Sequence, residues 1–452
     1  MNWILFVISL TAFVNPFMIS SINIAIIQIE KTFQTTSTLT AWIITSYMLS
    51  TALSLIPAGK LAEIHGKRKV FIIGVLIFAI SSFLCAFSKN FTFMIISRII
   101  QGLGGGLFLA TGTAILTHIF PKEKRGKVLG INVACVYLGL SLGPFLGGII
   151  ISKYNWNAIF LITGIINSII FIISLYKLNF HDEKEKGKIY ISQTIFYSFF
   201  IVSLIYGISK INSSVGIIFL GISVLSIIVF LLLQNRHKEK LLDIEIFKTN
   251  TVFTFSGLSA LINYTATTAL TFFLNIYLQS VFDFSPQKTG SILLIQPLVM
   301  ALVSPFAGRL SDKKEPQIIA SIGMFLTALS LFMTIFLTEK STLTAVLSIL
   351  STAGLGFGLF SSPNTNAIMS SVLKKQYAMA SSVLSTMRVI GQSLSMGITT
   401  LILSFYMKNT GLSQNSTMLI KSIKTAFLIF FIMSFVGIFF SMMRGKIHSL
   451  RD

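Results

Sequence analysis

The chain has 452 residues, 54% hydrophobic and only 11% charged, with 35 Lys and Arg against 14 Asp and Glu for a net charge of +21. A water-soluble domain carries roughly a quarter charged residues, so this balance excludes a soluble enzyme. The excess cations do not suggest nucleic acid as a partner either, because they sit in short clusters between apolar runs, as in the loops of a protein threaded through a lipid bilayer.

Apolar runs of about 20 residues, enough to cross hydrocarbon, recur along the whole length. Backbone amides in lipid must be satisfied within the segment, so the runs are helices. A barrel would need short strands of alternating polarity, which runs such as Ile165 to Leu175 lack. In chain order the spans are expected at 4–27, 39–58, 70–87, 91–118, 128–152 and 156–176, then 190–209 and 215–233. The last six are expected at 251–280, 289–307, 317–337, 343–368, 378–406 and 423–443. The first reads as a retained helix, since no basic region or small-residue cleavage site accompanies it. Fourteen spans put both termini on one side. The loops on that side, with the tail, hold 24 of the 35 Lys and Arg and the opposite loops nine, so the termini are expected in the cytoplasm.

Two sequence stretches recur. Ala58-Gly59-Lys60-Leu61-Ala62-Glu63 follows the second span as Ala307-Gly308-Arg309-Leu310-Ser311-Asp312 follows the tenth, 249 residues later. Gly102-Leu103-Gly104-Gly105-Gly106-Leu107-Phe108 returns as Gly354-Leu355-Gly356-Phe357-Gly358-Leu359-Phe360, offset by 252. The expected organisation is two six-helix bundles, residues 1–180 and 250–452, with two inserted helices within 181–249.

Pro57-Ala58-Gly59-Lys60-Leu61-Ala62-Glu63-Ile64-His65-Gly66-Lys67-Arg68 resembles the signature loop of the major facilitator superfamily. Gly139-Leu140-Ser141-Leu142-Gly143-Pro144-Phe145-Leu146-Gly147-Gly148 is similar to the fifth-helix motif of its exporters, and Arg98-Ile99-Ile100-Gln101-Gly102 to their fourth-helix motif. Together with Pro363-Asn364-Thr365-Asn366-Ala367 and Trp156-Asn157-Ala158, these stretches resemble the fourteen-helix drug:proton antiporter branch. The resemblance implies an all-α major facilitator fold, in which halves rock about a substrate held near midplane. It also implies a gate: Glu63, or Asp312 in the repeat, facing a helix N-terminus of the other half, with Gly59, Gly66, Lys67 and Arg68 shaping the turn. Glycines at 139, 143 and 147 share one helix face and allow a neighbouring backbone close, and Pro144 is expected to bend its helix.

An arginine well inside an apolar span is costly unless paired or wetted, so Arg98 is expected to face the cavity, with Arg388 as its counterpart in the thirteenth span. Asn23, Gln101, Asn263, Tyr264, Gln296, Asn364, Asn366 and Gln392 are the expected polar lining. The acid that the antiporter branch carries in its first helix is here Met18, and none of the 14 carboxylates lies deep in a span. Glu30, one turn past the first span, and Asp283 are the candidates for coupling near the outer vestibule. Two embedded arginines without an embedded acid suit a neutral, zwitterionic or anionic amphipathic substrate better than a lipophilic cation. The resulting expectation is a monomeric exporter in the plasma membrane of a prokaryote, with small-molecule substrate, proton and lipid as partners. Cys85 and Cys135 lie singly in apolar stretches, so no disulfide, metal or cofactor is expected. An uptake carrier or uniporter is the alternative. A sensor or scaffold would call for a soluble domain, and the longest loop, near 177–190, is too short for one.

Overall fold

The structure is a computed structural model that describes residues 2–34, 37–180, 182, 187–188, 190–209, 211, 213–236, 240–242, 244–406 and 416–445. The first six long helices are α1 (Asn2–Phe33), α2 (Ser37–His65), α3 (Lys67–Ala86), α4 (Phe91–Ile119), α5 (Arg125–Lys153) and α6 (Asn157–Lys177). A pair follows, α7 (Ile191–Ser209) and α8 (Ser214–Arg236), and then the short α9 (Glu245–Thr249). The remainder are α10 (Thr251–Ser280), α11 (Pro286–Leu293), α12 (Ile295–Lys313), α13 (Pro316–Ile335), α14 (Leu343–Ser370), α15 (Tyr377–Tyr406) and α16 (Ser416–Met443). Among the described residues there is no strand.

The helix ends follow from local chemistry. Asn90 accepts from the Phe93 amide at 2.8 Å and starts α4, and Asn250 accepts from Phe253 at 2.9 Å and starts α10. Between α2 and α3 only Gly66 intervenes, at φ 96°, a conformation that glycine adopts without the Cβ penalty. The span expected at 289–307 is broken: α11 stops at Leu293 and α12 begins at Ile295. Pro297 explains this, since it has no amide to donate to the Leu293 carbonyl and its ring crowds that carbonyl. Inside the bundle, hydroxyls such as Thr11, Thr111 and Ser304 bond the carbonyl four residues back, which satisfies them without any partner helix.

Among the described residues, thirteen helical segments are long and apolar enough to cross a membrane. The fourteenth expected span, 378–406, falls on α15, which is 30 residues long and carries Arg388 and Gln392.

The packing repeats. In the first set α1 lies along α5, α3 against α4 and α6, and α2 against α4. In the last set α10 lies along α15, α13 against α14 and α16, and α12 against α14. Helices α4 and α14 begin 252 residues apart, as do α5 and α15, and each of the latter follows a one-turn 3-10 helix, Lys122–Lys124 or Lys374–Gln376. The repeated glycines now have a physical meaning. A methyl group at Gly104 would lie 2.9 Å from the Gly74 carbonyl oxygen, and one at Gly356 would lie 2.7 Å from that of Gly323, so both backbone crossings require glycine. The two sets meet where α5 packs on α12 and α2 on α15. Helix α7 lies over the second of these seams: the Tyr197 hydroxyl donates to the Ala52 carbonyl of α2 at 2.9 Å, and Ile208 packs on Gly397 of α15.

Candidate functional site

At the end of the bundle that carries Asn2 and Met443, here the terminal end, the two sets are locked together. Asp312, at the end of α12, accepts from the amides of Gly126 at 2.7 Å and Lys127 at 3.1 Å, the first turn of α5. A carboxylate at the positive end of a helix dipole is favourable in itself, and both amides would otherwise lack a helical partner. Backbones touch here: a methyl at Gly126 would come 2.1 Å from the Gly308 carbonyl oxygen. The guanidinium of Arg125 sits 5.2 Å over the Tyr377 ring, and Ser381 reaches the Leu109 carbonyl at 3.4 Å. Gly59 packs just as tightly on Ser382 of α15.

The other half of the expected gate is arranged differently. Glu63 is buried and pairs with Lys60, one helical turn away, at 3.2 Å. Lys67 is fully buried and pairs at 3.1 Å with Asp182, whose second oxygen accepts from the Arg68 amide. Asp182, a residue of the connection after α6, thus caps α3 and tethers the signature turn. Sequence offered no sign of it beyond an acid in a basic loop.

Deep in the bundle the two arginines part company. Arg98 was expected to face the cavity between the halves. Instead it points into the first set of helices and is fully buried there. Its Nε donates to the Ile43 carbonyl at 2.8 Å and its Nη1 to Gln101 Oε1 at 2.5 Å, and Gln101 in turn donates to Ser82 at 2.7 Å. The guanidinium lies 4.4 Å from the Tyr47 ring centre and 5.8 Å from that of Phe160. All of these partners belong to α2, α3, α4 and α6, so the burial that the sequence required is met within one half.

Arg388 lies at the seam. Its guanidinium is 5.2 Å from the Tyr264 ring, Tyr264 stands edge-on to Phe357 at 5.3 Å, and Phe357 stands edge-on to Tyr137 at 6.0 Å. Tyr137 comes from α5 in the first set, and the other three from α10, α14 and α15 in the last. Each lies near the middle of its helix, so the cluster bridges the sets at mid-depth. Arg388 Nε is buried with no hydrogen-bond partner, and so is Asn263 Nδ2 on α10. Among the described residues, neither Arg98 nor Arg388 is bonded to a carboxylate.

This architecture, paired helix sets with a polar-aromatic junction at mid-depth, can be matched against known proteins. The sequence profile described as Major Facilitator Superfamily matches residues 8–396. The chain belongs to that superfamily. It is a transporter, not an enzyme. A riboflavin transporter of Clostridioides difficile, RibZ, is 33% identical over 400 residues, covering 87% of this chain and 86% of its own. Multidrug resistance protein 3 of Bacillus subtilis is 30% identical over 368 residues, 79% of this chain and 71% of its own. Multidrug resistance protein Stp of Mycobacterium tuberculosis is 24% identical, covering 86% and 73%. Among solved structures the proton:xylose symporter XylE superposes with a TM-score of 0.71 at 14% identity over 100% of this chain and 99% of that one, which is a likeness of fold.

The remaining expected residues of this transporter separate by place. Gly139, Gly143 and Gly147 of α5 face α1: methyls there would lie 2.2 Å from the Phe13 carbonyl oxygen, 2.6 Å from Ser20 and 2.7 Å from Ser21. Gly148 has nothing within 4 Å, and α5 runs unbroken through Pro144. Asn364 and Asn366 hold the terminal end together: Asn364 accepts from Arg444 at 2.9 Å and donates to the Ser256 carbonyl, while Asn366 donates to Ser311 Oγ at 3.0 Å. Arg444, counted from sequence as a tail cation, is fully buried in that network. Gln296 accepts from Thr271 at 3.4 Å, and Gln392 is half-buried on α15. The side chains of Asn23 and Glu30 lie outside the described residues.

Proposed function

We propose that this superfamily member exports small, flat, amphipathic aromatic compounds that carry no net positive charge, by alternating access driven by the proton gradient. The observation that carries the reading is the mid-depth junction: Tyr137, Tyr264 and Phe357 offer ring faces and edges, and Arg388 offers a cation with an unmet Nε. Rings without a carboxylate favour a π-system with an acceptor or anionic edge, and a permanent cation would meet Arg388 unscreened. Pocket chemistry of this kind, mostly aromatic with a few polar groups, is usual for small-molecule sites. The motor would be residues 1–180 rocking against 250–452 with the insert 181–249 at one seam, as a monomer in a prokaryotic plasma membrane with cytoplasmic termini. The Asp312 contact then belongs to the state closed to the cytoplasm, and opening inward breaks it. The glycine-proline stretch of α5 supports export. A second reading, uptake of a flavin-like heterocycle, is favoured by the 33% identity to a protein named as a riboflavin transporter.

Proteoliposomes with imposed pH and voltage gradients test both readings, with riboflavin, an aromatic carboxylate and a quaternary ammonium dye offered separately. Transport of the first two and not the dye is the expected result. Transport of the dye alone would refute the substrate class, and the direction that accumulates solute separates export from uptake.

A further inference from the structure

The four side chains of the mid-depth junction are not equally open. Arg388 is partly exposed, while Tyr137, Tyr264 and Phe357, packed edge-on in series, are only 5%, 8% and 6% exposed. A solute in the crevice therefore meets the guanidinium and finds the rings covered. For a ring of the solute to stack there, one ring of the protein has to leave. This inference rests on the junction being the substrate site.

The sequence of α5 decides which ring that is. Gly139, Gly143 and Gly147 press one face of α5 against α1. Tyr137 stands two residues before Gly139, roughly 200° around the helix, so it points away from α1 and across the seam. There its ring meets Phe357 of α14 at 6.0 Å and 81°, and its side chain lies beside that of Ser361 in the field of Arg388. Tyr264 and Phe357 sit on α10 and α14 and move with Arg388 as parts of the last set. Tyr137 alone of the three rings belongs to the first set. It presents a phenol to an aromatic edge with a cation close by, which is the arrangement a bound aromatic solute would adopt.

We propose that Tyr137 is a built-in competitor: in the state closed to the cytoplasm its ring fills the position that the ring of the substrate takes, and substrate binding swings it off Phe357. The substrate class narrows accordingly, to solutes with a ring of at least phenol size and a polar or anionic edge turned toward Arg388. Tyr137 then acts on affinity with the opposite sign to Tyr264. Tyr264 is a wall that the solute gains, whereas the apparent affinity falls with the fraction of protein in which Tyr137 holds the position. During export, the return of the ring to Phe357 helps to expel the departing solute.

The test is equilibrium binding of riboflavin and, separately, of naphthoate to the purified, detergent-solubilised full chain, each read by its own fluorescence. Tyr137→Ala is expected to bind about two- to tenfold more tightly than the wild type, the worth of one aromatic pair, and Tyr264→Ala more weakly by a similar factor. Tyr137→Phe keeps the ring and is expected to return the wild-type affinity. Nitration by tetranitromethane reads the same event in the wild type, where no variant has to fold. A saturating ligand is expected to expose Tyr137 and speed its modification, located by mass spectrometry, whereas a tyrosine that only lines the site becomes protected. If Tyr264→Ala weakens binding while Tyr137→Ala does not tighten it, or while the ligand fails to speed nitration of Tyr137, the proposal is overturned and the junction stands as the site. If neither ligand binds, or neither alanine variant alters binding, the junction reading falls and this proposal falls with it.

Discussion

Replacing Asp312 by asparagine should unlock the terminal end while leaving the fold intact. The carboxylate makes two bonds to α5, at 2.7 and 3.1 Å, and sits at the positive end of that helix. Asparagine keeps one carbonyl oxygen and so can retain the shorter bond, to Gly126. What is lost is the second bond and the charge. A bond to a charged group is worth about 1.5–3 kcal/mol, and a charge at a helix terminus about 0.3–1 kcal/mol. With the partial retention allowed for, the closed arrangement should lose about 1–2 kcal/mol, a five- to thirtyfold rise in the ratio of open to closed. The readout is a cysteine at Ser362, which is fully buried with its hydroxyl 3.4 Å from the Gly126 carbonyl. In a background without Cys85 and Cys135, alkylation of Ser362→Cys by a water-soluble maleimide should accelerate by that factor when Asp312→Asn is added. An unchanged rate, in protein that still melts cooperatively, would refute the reasoning that Asp312 latches the halves.

Other consequences follow from single contacts. Gly139→Val should cost about 1–3 kcal/mol or abolish folding, because the side chain enters the Phe13 backbone, while Gly148→Val should be tolerated; relative melting temperatures check the contrast. Asp182→Asn should destabilise the protein more than Asp182→Asn combined with Lys67→Met, since the single change strands a fully buried ammonium worth about 3–5 kcal/mol when a partner is removed; a double-mutant cycle on unfolding reads the coupling. Tyr264→Phe should keep transport of an aromatic solute near the wild-type level, and Tyr264→Ala should raise KM severalfold through loss of the ring edge-on to Phe357.

Much of the fold was legible because lipid imposes a coarse rule: an apolar run must be a helix, and its length is fixed. The repeat was legible as well, since Gly104 and Gly356 recur for a steric reason that the crossing with Gly74 or Gly323 makes plain. The site was harder. Sequence could say that Arg98 and Arg388 must both be shielded from lipid, yet an arginine turned inside its own half and one turned toward the other half satisfy the same requirement. Tyr137 and Phe357 carried no signal, being two aromatics in a chain where 12% of residues are aromatic and most pack as core. Phe357 lay inside the repeated glycine stretch and was read there for architecture alone. Asp182 and Arg444 were invisible for the opposite reason: both stand just past an apolar run, where a charge is ordinarily solvated, and only the folded connection buries Arg444 and brings Asp182 back onto the start of α3.

The claim that the two helix sets must part at the terminal end is tested most directly by tying them there. Leu109 of α4 and Ser381 of α15 meet across the seam, with the serine hydroxyl 3.4 Å from the leucine main-chain carbonyl. Leu109→Cys and Ser381→Cys, introduced together in protein without Cys85 and Cys135 and reconstituted in liposomes, should support riboflavin counterflow when reduced. The same vesicles should stop when oxidised to the disulfide and recover on reduction. Full-rate counterflow through quantitatively cross-linked protein would contradict the account.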